Sequence, residues 1–93
     1  MFQCLAEESA EIIQAISKIQ RFGLDDNYPG YGDNLERLVL EVNDFFAVLE
    51  MVNRELAKAG YPWVHRNSWS IIAKTTKVEK FIAYAKERGT ITE

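Results

Sequence analysis

Residues 34–59, NLERLVLEVNDFFAVLEMVNRELAKA, form a stretch without proline or glycine in which apolar side chains recur at helical spacing. It predicts one helix of about 25 residues, or about seven turns, the longest element in the chain. Asp33 followed by Glu36 resembles a capping box at its start, and Gly60, Tyr61 and Pro62 break the pattern at its end. Projected at the helical increment, only Glu36, Asn43, Glu50 and Arg54 form a polar strip. The remaining three-quarters or so of the circumference is apolar, more than one neighbouring helix covers. The expected fold is therefore all-α, a small helical bundle assembled as an oligomer, either a homodimer or a homotetramer.

The N-terminal segment places Leu5, Ile12, Ile16 and Ile19 on one helical face and stops at Gly23, which suits a left-handed C-terminal cap. Leu24 to Gly32 is rich in Asp, Asn, Gly and Pro and reads as a loop. After the irregular YPWVHR, Asn67 or Ser68 caps a third helix that ends at Gly89. Thr76 with Glu79 forms an alternative capping box that would split this helix in two. With 93 residues, no linker and no repeat, residues 1–93 form a single domain.

At 47% hydrophobic and 27% charged, the chain has the composition of a packed globule. Its net charge of −3 and pI near 5.2 give no broad electrostatic footprint for duplex nucleic acid. Cys4, the only cysteine, sits on the apolar side of helix one and reads as a small hydrophobe. One cysteine makes neither a disulfide nor a zinc site, which suits a reducing, cytoplasmic setting. Glu7, Glu8 and Glu11 interrupt any signal peptide or membrane span at the N-terminus.

Four acids fall where a core is expected. Glu8 projects between Leu5 and the Cys4, Ala15 and Phe22 side of helix one, and Glu11 lies beside that side. Glu41 projects between Val48 and Val52, and Asp44 between Met51 and Val48. Glu8 with Glu11, and Glu41 with Asp44, are i, i+3 pairs that project side by side. Four ionised carboxylates brought together repel strongly, and a divalent cation neutralises them. All-oxygen ligation suits Mg²⁺, with Mn²⁺ as a substitute, and both keep positions for water and phosphate oxygens. The bland alternative is a set of surface ion pairs with Lys18, Arg21, Arg37 or Arg54.

These residues resemble the MazG-like all-α nucleoside triphosphate pyrophosphohydrolases, whose hallmark is a Glu-Glu-x-x-Glu helix followed by a helix bearing Glu-x-x-Asp. The motifs here read EESAE, Glu7 to Glu11, and EVND, Glu41 to Asp44. RFGLDD after helix one and AKTTKVEKFIAY near the end are similar to compact members of that group. The resemblance implies that Glu8, Glu11, Glu41 and Asp44 bind Mg²⁺. It also implies cleavage of a nucleoside triphosphate to nucleoside monophosphate and pyrophosphate, with water as nucleophile and Glu7 or Glu8 accepting its proton. Phosphoribosyl-ATP pyrophosphohydrolases carry similar acidic motifs, and a non-catalytic helical module for nucleotide or protein binding is the other alternative.

Lys18, Arg21, Lys74 and Lys77 are candidate cations for the phosphates, with ordinary solvated charges equally represented by this pattern. Trp63, Trp69, Tyr28 and Tyr31 are candidates for stacking on a base, although aromatics beside glycine and proline more often close a core. His65 has no second histidine or cysteine at ligand spacing.

Overall fold

The computed structural model describes residues 1–27 and 32–89, so Tyr28 and Tyr31 lie outside the described residues. Those residues form three helices and no strand: α1 (Phe2–Phe22), α2 (Asn34–Lys58) and α3 (Ser68–Glu87). All three helices start and stop within two residues of the sequence expectation. Thr75 and Thr76 do not split α3; the Thr75 hydroxyl turns back to donate to the Ile71 carbonyl at 2.9 Å.

Helices α1 and α2 form an antiparallel hairpin whose closed end is tied by Asn34. The Asn34 amide Nδ2 donates to the Gly23 carbonyl at 2.8 Å and to the Lys18 carbonyl at 3.4 Å, which partners orphan acceptors at the end of α1. The Asn34 and Leu35 backbone N–H groups donate to Asp26 and Leu24. Gly23 has φ 88° and ψ 170°, a positive-φ stop but not the left-handed helical cap expected from the sequence. At the start of α2 the Asp33 carboxylate accepts from the Glu36 N–H at 2.7 Å. The Glu36 side chain folds back over Gly32, where a Cβ would stand 2.7 Å from its Oε2. The Glu36 carboxylate can swing aside, so it is the φ of 74° that favours glycine at position 32.

The link to α3 is held by one side chain. Asn53 on α2 accepts from the Val64 N–H at 2.7 Å and donates to the Val64 carbonyl at 2.8 Å. Asn67 then caps α3, accepting from the Ser70 N–H at 3.0 Å. From there on, no Cα of α3 lies within 8 Å of one in α1 or α2. The radius of gyration is 16.9 Å, against about 12 Å for a compact chain of this length. Among the described residues only Ala15, Val52 and Ala85 are buried apolar residues.

A single chain is thus all-helical, as expected from the sequence, with a helical hairpin and a projecting arm. The sequence pattern puts Val78, Phe81, Ile82 and Ala85 on one stripe of the arm and predicts that it is buried, but only Ala85 is, because neither α1 nor α2 packs against the arm. Trp63 and Trp69, expected to close a core, are exposed for the same reason, as is Cys4 at the open end of the hairpin. No described helix is long and apolar enough to cross a membrane.

Candidate metal centre

Antiparallel pairing brings the second turn of α1 against the middle of α2. One carboxylate oxygen each from Glu8, Glu41 and Asp44 lies within 4.8 Å of the others. These are one acid of the first i, i+3 pair and both acids of the second, joined across two helices as their angular placement predicts. Glu41 is buried, at 6% exposure, Glu8 is half-buried and Asp44 is exposed, so the cluster runs from the hairpin seam out to solvent.

Glu11 is exposed and outside the set of three. Its charge still reaches the cluster. Desolvation raises the pKa of Glu8 most, followed by the negative charges of Asp44, Glu41, Glu11 and Glu7. Glu8 therefore holds a proton more readily than an ordinary glutamate. Glu7 faces solvent.

Glu41 has a partner within its own helix. The Arg37 guanidinium stands 3.2 Å from Glu41 Oε1, an i, i+4 pair readable from the spacing and anticipated only as one of several surface pairings. Among the described residues no buried side-chain nitrogen or oxygen lacks a hydrogen-bond partner. The cluster thus carries three carboxylates and one nearby guanidinium, an excess of negative charge that is only partly offset.

The donor set fits a hard cation. Oxygens on opposite sides of one Mg²⁺ stand about 4 Å apart, and on opposite sides of Ca²⁺ about 5 Å apart. A spread of at most 4.8 Å spans that range, and small rotamer changes tighten it for the smaller ion. Zinc-type ligation is disfavoured, because the three ligating groups are all carboxylates.

The candidate phosphate ligands are scattered. Lys18 and Arg21 lie about 15 and 20 Å from Glu8 along the axis of α1, at the closed end of the hairpin, because angular projection takes no account of axial distance. Lys74 lines an open groove of about 630 Å³ together with Leu5, Phe45, Leu49, Asn67 and Ile71, and Lys77 is exposed one turn further along α3. Leu5 and Phe45 neighbour Glu8 and Asp44 in sequence, but none of the three acids lines the groove. His65 also lines it, with Nδ1 2.7 Å from the Arg66 carbonyl. The groove escaped the sequence reading because it depends on the path of residues 61–67, which the Asn53 hydrogen bonds determine. Comparison of the chain with protein-family models, with curated proteins and with solved structures finds no match.

Proposed function

We propose that the chain is a metal-dependent nucleotide pyrophosphohydrolase of the MazG-like type, cleaving nucleoside triphosphate to nucleoside monophosphate and pyrophosphate in the cytoplasm. The observation that carries this reading is the convergence of Glu8, Glu41 and Asp44 oxygens within 4.8 Å on facing helices. Glu8, Glu41 and Asp44 would hold Mg²⁺ or Mn²⁺, with Glu11 adding negative charge from the neighbouring turn. When bound, the cation supplies charge neutralisation at phosphate oxygens and lowers the pKa of water.

The chain's own residues do the rest. Glu7 or Glu8, whichever carboxylate is not fully used in ligation, would accept the proton of the attacking water. Lys74, which lines the groove with Leu5 and Phe45, is the candidate for the departing phosphates ahead of Lys77, Lys18 and Arg21. The chain functions as a homodimer or homotetramer, since one copy leaves so little apolar surface buried.

One observation favours a second reading. The Arg37 to Glu41 pair also suits a non-catalytic nucleotide-binding or protein-interaction module, in which the buried acid is paired without metal. A nucleotide panel that includes phosphoribosyl-ATP, assayed with Mg²⁺ and with both products identified, separates the two. Pyrophosphate release that vanishes on chelation and in Asp44→Asn supports the hydrolase, whereas absence of turnover across the panel refutes it.

A further inference from the structure

We infer that the α3 arm of one copy lies along the α1–α2 hairpin of a second copy, reciprocally, so that two chains exchange arms around a two-fold axis. This inference deepens the self-association proposed above and rests on it. Three observations select a second copy of this chain as the occupant of the exposed hairpin.

The first is area. The chain exposes 7847 Å², against about 5500 Å² expected for a folded monomer of its mass. The surplus, about 2300 Å² per chain, falls within what an obligate homodimer buries. Its apolar part is on both elements, with Ile13, Leu40 and Phe46 exposed on the hairpin and Ile72, Phe81 and Tyr84 exposed on the arm.

The second is charge. Residues 1–62 carry eleven acidic and five basic side chains, whereas residues 63–93 carry three acidic and six basic. The overall charge of −3 conceals an acidic hairpin and a basic arm. Lys74, Lys77 and Lys80 follow one another at i, i+3 spacing along α3, and Phe81 and Tyr84 project from the same side. That face is both basic and aromatic, as a partner for an acidic, apolar hairpin must be.

The third is direction. The paired hydrogen bonds from Asn53 hold Val64 against α2, and from that point α3 flanks an open groove without any of its Cα atoms coming within 8 Å of its own hairpin helices. An arm so held reaches a neighbouring hairpin without disturbing the clamp. Exchange places the cations of one copy beside the acids of the other, so each acidic face is completed across the interface.

The test uses the full chain with Phe81→p-benzoylphenylalanine, light copies mixed with ¹⁵N copies, light scattering before irradiation and mass spectrometry of the cross-links after it. A dimer whose cross-links join the arm of a light chain to α1 or α2 peptides of a heavy chain is the expected result. Triple charge reversal, Lys74→Glu with Lys77→Glu and Lys80→Glu, should raise the dimer dissociation constant at least tenfold while circular dichroism stays helical. A dimer linked only arm to arm, or only within one chain, overturns arm exchange and leaves self-association standing. A monomer overturns both. Metal-dependent turnover is measured separately, so a failed hydrolase reading shows as a dimer with exchanged arms and no activity.

Discussion

Replacing Arg37 with leucine removes the one salt-bridge partner, among the described residues, of a carboxylate that is almost wholly buried. The pair is asymmetric: the Glu41 side chain is 8% exposed and that of Arg37 42%, with 3.2 Å between them. An exposed i, i+4 pair contributes about 0.3–0.5 kcal/mol, whereas removing one partner of a buried pair costs about 3–5 kcal/mol. With one end buried and the other half in water, Arg37→Leu should cost about 1–2 kcal/mol in chelated protein. For a chain of this size that corresponds to a fall in Tm of roughly 5–15 °C, read at one fixed protein concentration because self-association shifts the midpoint. Saturating Mg²⁺ or Mn²⁺ should shrink the penalty to less than half, since a bound cation takes over the neutralisation that Arg37 provides. Circular dichroism melts of both proteins, with chelator and with metal, complete the thermodynamic cycle. An equal penalty in both conditions would show that guanidinium and cation do not act on the same charge and would refute the metal site.

Three further outcomes are expected. Because the pKa of Glu8 is raised above its usual 4.5, the folded state binds the proton more tightly than the unfolded state. That contribution is fully present below pH 4.5 and is lost as pH rises through the folded value, so chelated Glu8→Gln protein should show a flatter Tm profile over this window; parallel profiles would contradict the shift. Asp44→Asn should abolish the rise in Tm caused by millimolar Mg²⁺, which reflects a stabilisation of about 2.7 kcal/mol at a hundredfold excess over Kd, with metal titration in a melting assay as the check. Asn53→Ala removes two hydrogen bonds and should cost about 1–3 kcal/mol while loosening residues 61–67, visible as faster amide exchange at Val64; unchanged exchange would show that the clamp is incidental.

The helices were legible because their signals are local. Asp33 and Asn67 cap where their short polar side chains suggest, and Gly23 and Gly89 stop α1 and α3 where glycine's freedom at positive φ is needed. The acids were legible for a related reason: helical angle and i, i+3 spacing survive the transition from pattern to coordinates, which is why Glu8, Glu41 and Asp44 meet. Glu11 shows the limit of that reasoning, since an angle at the edge of an apolar face does not decide which way a flexible carboxylate turns. Lys18 and Arg21 show another, because a helical projection collapses the axis along which they are removed from the cluster. The course of α3 was not legible at all. It depends on the Asn53 to Val64 hydrogen bonds across eleven residues, and no periodicity encodes such a pairing.

The Asn34 bonds at the closed end of the hairpin have a consequence for the acids at a distance. Two antiparallel rods joined at one end are aligned along their whole length by that joint, and here the joint includes the Asn34 amide on the carbonyls of Lys18 and Gly23, with the Asn34 and Leu35 N–H groups on Asp26 and Leu24 beside it. Glu8 lies about 15 Å away from Lys18, yet a slip of one residue at the joint would slide it about 1.5 Å past Glu41 and Asp44. Asn34 therefore acts as a ruler for the carboxylates: it touches none of them, and it sets the spacing at which they face one another.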